Sequence, residues 1–101
     1  MNLWETVKAS LGANHWYDYV GQETWSLGEI VIFEHKNDDG SFEVNWANAR
    51  RSLKTGELEI CAQALTCRKD SSPDERKRVA AIHAKSAVLS NYEAETGIIL
   101  N

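Results

Sequence analysis

Ile30-Val31-Ile32-Phe33-Glu34-His35-Lys36-Asn37-Asp38-Asp39-Gly40-Ser41-Phe42-Glu43-Val44-Asn45-Trp46 is the stretch that decides the fold. Its first four residues are apolar at every position, and three are β-branched. A strand of that kind is covered on both faces. Lys36 to Ser41 is turn material with Asp-Gly inside it. Phe42, Val44 and Trp46 then alternate with Glu43, Asn45 and Ala47, the period of a half-buried strand. The pair reads as a β-hairpin. Ile30, Ile32, Val44 and Trp46 are its expected core residues.

Downstream, Leu53 and Leu58 flank a second turn, Lys54-Thr55-Gly56-Glu57. Leu58, Ile60, Ala62 and Ala64 then alternate with polar residues or Cys61, which predicts a further strand reaching toward Cys67. Asp70-Ser71-Ser72-Pro73-Asp74-Glu75 opens a helix: Ser72 caps, Pro73 takes the first helical position and two acids follow. The helix is expected to run to about Glu95 and to stop at Gly97. A helical wheel gathers Ala81, Ile82, Val88, Leu89 and Tyr92 on one broad face with Lys85 near its middle. Val88 or Leu89 is expected to meet the hairpin core. Ala80, Ala84 and Ala87 lie elsewhere on the wheel and permit close packing. Ile98-Ile99-Leu100 is apolar enough to tuck back or to add a strand.

Upstream, Leu3, Val7 and Leu11 recur every four residues, with Asn2 before them and Gly12 after. This predicts a helix over 3–11. Next come His15-Trp16-Tyr17-Asp18-Tyr19-Val20-Gly21-Gln22-Glu23-Thr24-Trp25, which hold four of the chain's nine aromatic residues. With neither a helical period nor a clean alternation, they read as a short strand over 15–20 and a loop from Gly21 to Gly28.

The expected architecture is one α+β domain over residues 1–101. A short N-terminal helix and a long C-terminal helix flank four or five antiparallel strands. Over residues 16–68 the pattern resembles a small SH3-like barrel; a curled open sheet is the other arrangement expected. At 43% hydrophobic and 26% charged residues, the composition suits a globular domain. The start lacks a basic and an apolar region, and no apolar run approaches membrane-spanning length. The expectation is a cytoplasmic protein with no membrane partner. Cys61 and Cys67 are then expected as thiols.

Charge is divided along the chain. Residues 1–49 carry two basic and eight acidic side chains, and residues 50–78 carry eight basic and five acidic. The net charge of -4 argues against general nucleic-acid binding but leaves a local basic patch open.

The leading functional reading is a non-enzymatic protein-binding module. Its candidate contact residues are Trp16, Tyr17, Tyr19 and Trp25, with Asp38 and Asp39 on the acidic hairpin, because aromatic side chains dominate protein interfaces. The competing expectation is that Trp16 and Trp25 fill the core while the tyrosines stay at a wet rim. By size and charge alone, the chain resembles the immunity proteins and phage-encoded inhibitors that regulate larger machines. The alternative is a nucleic-acid-associated regulator using Arg50, Arg51, Arg68, Lys69, Arg76 and Arg78. A small enzyme subunit is third. Glu34-His35 with Asp38 and Asp39, or Cys61 with His35 or His83, supply acid–base and nucleophile residue types without a surrounding motif. His15, His35, His83, Cys61 and Cys67 lack the short paired spacing of structural zinc sites, so neither a metal nor a cofactor is expected.

Overall fold

The computed structural model describes residues 2–12, 16–60 and 65–99. Helix α1 (Leu3–Leu11) precedes strands β1 (Asp18–Trp25), β2 (Gly28–Lys36), β3 (Phe42–Arg51), β4 (Leu58–Ile60) and β5 (Leu65–Cys67); helix α2 (Pro73–Thr96) follows. The sheet is antiparallel, in the order β1-β2-β3, with β4 and β5 both pairing along the far side of β3. It does not close: β1 pairs with β2 alone among the described residues, so the chain is α+β with an open sheet, not a barrel.

The hairpin forms as its residues dictate. Ile32 stands opposite Trp46 and Ile30 opposite Asn48. Alternate β2 residues face opposite ways. Ile30 and Ile32 join Val44, Trp46, Ala80, Ala84 and Val88 under α2. Val31 and Phe33 join Val7 and Ala47 under α1. The expected quartet is therefore buried, with Val88 as its helical partner.

Residues 21–25 correct the expected loop. They continue β1, and only Ser26 and Leu27 turn the chain into β2. A β-bulge shifts the register between Tyr19 and Gly21. One extra residue moves all later side chains to the other face, so no single alternation spans the strand. Of the expected strand from Leu58 toward Cys67, Leu58–Ile60 (β4) and Leu65–Cys67 (β5) are extended and pair with β3; residues 61–64 between them lie outside those described.

Both helices begin and end as expected. Asn2 Oδ1 accepts from Glu5 N at 2.9 Å, and Ser72 Oγ accepts from Glu75 N at 3.1 Å. Gly97 ends α2 at φ 72°, a conformation that costs other residues a Cβ clash, and its N–H reaches Glu93 O. The docked face of α2 agrees with the wheel reading at Ala81 and Val88, which are buried, and departs from it at Ile82, which is 61% exposed; Arg76, Ala80 and Ala84, in four-residue steps to Val88, complete the buried stripe. Size explains this: Ile30, Ile32 and Trp46 already fill the space above the sheet, and alanines let the helix lie close to them. Ile98 and Ile99 are exposed and add no strand.

Arg76 pins the start of α2. Its Nε and Nη2 donate to the two carboxylate oxygens of Glu34 at 2.6 and 3.0 Å, and Nη1 donates to Ser71 O. The guanidinium lies 3.6 Å from the centre of the Phe42 ring. A planar fork that is bidentate and stacked at once is beyond lysine.

Two stability outcomes follow from this packing. Ile32→Ala should lower unfolding free energy by about 2–5 kcal/mol, read by urea denaturation. Arg76→Ala should cost about 3–5 kcal/mol because it strands Glu34, and adding Glu34→Gln should recover part of that loss.

Candidate functional site

β1 is the outer strand of the sheet, and it positions the aromatic cluster in two groups. On the α1 face Tyr19 stands opposite Phe33. The Trp4 ring of α1 lies 6.1 Å from Tyr19 and 5.4 Å from Phe33. Tyr17 meets Phe33 edge-on at 5.2 Å and His35 at 6.4 Å. Burial, and then the negative charge of Glu43, push the Tyr17 phenol up, while a hydrogen bond with Asn45 pulls it the other way. On the α2 face Trp25 packs against the core, and its Nε1 donates to Asn48 Oδ1 at 3.1 Å. Asn48 Nδ2 donates in turn to Leu27 O at 3.0 Å, fastening the β1–β2 turn.

The four rings are therefore not equivalent. Trp25 and Tyr17 are packed, whereas Trp16 is 69% and Tyr19 49% exposed. This reverses the expectation for Trp16, which does not fill the core, and for Tyr17, which does not sit free at a rim. Asp18 stands opposite Glu34 and Trp25 opposite Gly28, so Trp16 and Tyr19 lie toward the hairpin-tip end of the sheet and Trp25 at the other end.

At that tip Asp38 and Asp39 are exposed. Asp39 Oδ1 accepts from Ser41 Oγ at 2.6 Å and Ser41 N at 2.9 Å, and these bonds hold its carboxyl below the usual carboxylate range. That is a turn-stabilising role. Asp38 has no such bond among the described residues.

Along its α2 side β1 is partly covered. The Lys77 stem crosses Gly21 so closely that a Cβ there would lie 2.7 Å from its Cδ. Glu23 pairs with Lys85. A groove of about 310 Å³ remains between strand and helix, with Arg78 and Ile82 on its wall.

The six basic candidates are dispersed. Arg50 is held by Glu59 and Glu95, and Arg76 by Glu34. Arg51 donates to Gly56 O at 3.1 Å in the β3–β4 loop. Arg68 faces Asp70 at 3.3 Å with both side chains exposed, Lys69 lies beside Gly40, and Arg78 lines the β1–α2 groove.

The fold also separates the acid–base candidates. Glu34 turns toward Arg76 on the α2 face, and His35, its neighbour in the strand, turns the other way against Tyr17. Cys67 belongs to the α2 side, and burial pushes its thiol up, away from thiolate reactivity. His83 is exposed on α2; His15 and Cys61 lie outside the described residues. Among the described residues no three His, Cys, Asp or Glu side chains are placed to hold a metal, and no helix is long and apolar enough to cross a membrane.

No sequence motif signals the Arg50–Glu59–Glu95 network, because Glu95 comes from the far end of α2. No protein-family model, curated protein or solved structure matches this chain.

The split between exposed and packed rings has a measurable consequence. Trp16→Ala should leave unfolding free energy within about 0.5 kcal/mol of wild type. Trp25→Phe should cost about 1 kcal/mol or more by breaking the bond to Asn48. Urea denaturation of both variants checks the contrast.

Proposed function

We propose that this chain is a non-enzymatic protein-binding module whose partner lays an extended segment along the outer edge of β1. The observation that carries this reading is the placement of Trp16 and Tyr19, exposed, at one end of a strand whose outer backbone edge is unpaired among the described residues. Strand addition to such an edge supplies main-chain hydrogen bonds, and large side chains beside it supply specificity. Asp38, at the same end of the sheet, adds a charge that steers a basic partner surface. Inhibition or regulation of a larger machine is the role that suits a small module of this kind. Three of the six basic residues that would support nucleic-acid binding pair with carboxylates within the fold, Arg50 and Arg76 in buried pairs and Arg68 in an exposed one.

The test begins with affinity capture from the source cell, followed by titration of the captured protein against variants. Trp16→Ala and Tyr19→Ala should each weaken binding by about 2 kcal/mol or more, Trp16→Ala without lowering the melting temperature and Tyr19→Ala with only the small loss its contact with Trp4 implies. Hydrogen exchange in the complex should show new protection over residues 18–25. Protection confined to other strands would defeat the reading. Capture of nucleic acid, with affinity falling steeply as salt rises, would favour the basic-patch alternative instead.

A further inference from the structure

The outer edge of β1 is unpaired among the described residues, and side chains on both faces beside it are uncommitted. On the α1 face Tyr19 is exposed. On the α2 face the groove between strand and helix is lined by Glu23, Asp74, Lys77, Arg78, Ile82 and Lys85. Ile82 is a large apolar side chain left exposed there. A long, regular edge strand is a template for pairing with another chain. The bulge at Tyr19 and Gly21 disturbs only the first part of β1. From Gly21 to Trp25 the strand keeps unbroken register with Ile32 to Gly28.

Two contacts fix how the charges lie along that edge. The Lys77 stem rests over Gly21, its Cδ 2.7 Å and its Cε 2.9 Å from where a Cβ would stand. Lys85 pairs with Glu23, two residues further along the strand. α2 therefore runs beside β1 in the same direction, and Ile82, between the two lysines, stands about level with Gln22. Gly21 and Glu23 share the α2 face, because side chains two apart in a strand point the same way. Lys85 has Glu23 as its carboxylate, whereas Lys77 and Arg78 have none among the described residues.

We propose that a second copy of this chain occupies the edge, its β1 antiparallel to the first about a two-fold axis near Gln22. A residue on a two-fold axis meets its own copy, so a charge there repels itself. Gln22 and Ile82, the residues at that level, are uncharged. One position to either side, Glu23 of each copy stands opposite Gly21 of the other, beneath Lys77, a cation with no carboxylate of its own. Two such pairs form, one on each side of the axis. The register is selective. Moving the axis to Glu23 sets two carboxylates against each other, and moving it to Gly21 sets two Lys77 stems together. An antiparallel neighbour in the same sheet keeps its α2 on the same face, so both Ile82 side chains turn toward one shared groove.

The proposal rests on the open edge of the reading above and gives that edge a regulation. Self-pairing covers it, and a partner strand binds by displacing the second copy. Because the contact is isologous, each copy uses its β1 edge once, and association through β1 stops at two.

Sedimentation equilibrium of the full chain over a concentration series tests this. The mass is expected to rise from that of one chain to that of two and no further. Hydrogen exchange over residues 18–25 should slow as concentration rises. Lys77→Glu and Glu23→Lys each set like charges across the axis, and each should weaken association about tenfold or more. In an equimolar mixture of the two variants the contacts across the axis are again between opposite charges, so dimer should return. Ile82→Glu, at an exposed helical position, should also weaken association about tenfold or more, and it serves if Glu23→Lys does not fold. A chain that stays monomeric up to about 1 mM overturns the proposal and leaves the partner reading standing. A dimer unchanged by folded Lys77→Glu and Ile82→Glu forms elsewhere and overturns it too. A dimer sensitive to both, beside a captured partner that protects strands other than β1, upholds the proposal and defeats the partner reading alone.

Discussion

β2 buries Ile30 and Ile32 on one side and Val31 and Phe33 on the other, and the remaining elements are arranged to cover both sides. A strand that is apolar on two faces cannot lie on the surface of a sheet, so each face needs its own cover. The chain has one helix for each. They differ in how they attach. α1 is too short to be stable alone, and it docks through Val7 and the Trp4 ring against Phe33. α2 is long and presents little apolar bulk, so its position needs more than burial.

Ion pairs supply that position. Arg76 meets Glu34 of β2 near the start of α2, Lys85 meets Glu23 of β1 along its length, and Glu95 meets Arg50 of β3 at its end. Two of the three acids lie in the acidic first half of the chain, and their partners come from α2. The charge division that suggests a basic patch in the linear sequence is thus partly consumed as complementarity within the fold. The Arg76–Glu34 and Arg50–Glu95 pairs are buried, and such pairs add little net stability over an apolar contact although breaking one is costly; the half-exposed Lys85–Glu23 pair contributes less either way. Their effect is to select one placement of an alanine-lined helix that could otherwise slide on the sheet.

What could be read in the sequence follows the range of the responsible interaction. The hairpin, both helices and their caps depend on residues within a few positions of one another, as with Ser72 and Glu75 or Asn2 and Glu5. The same holds for the quartet Ile30, Ile32, Val44 and Trp46. β1 was obscured because the bulge at Tyr19 and Gly21 breaks its period and because an edge strand tolerates Gln22, Glu23 and Thr24. Part of the docked face of α2 was obscured because fit against a crowded sheet rewards small side chains, whereas a wheel weights large ones. At the candidate edge, Trp25 is drawn inward by Asn48, a residue 23 positions away. Trp16 has no described partner of that kind and stays exposed. Nothing in the local sequence separates those two tryptophans.

The two margins of the sheet are built differently. Among the described residues the β4–β5 margin holds two three-residue strands, and Ser52 of the loop before β4 is tied to Glu95. The β1 margin is a continuous eight-residue strand. Its protection is one-sided: Lys77 and the Glu23–Lys85 pair crowd the α2 face, while the α1 face near Tyr19 carries no charge-paired cover among the described residues. Alternate side chains of a strand added there would meet the Trp16 and Tyr19 face, and those between them would meet the lysine stems of α2.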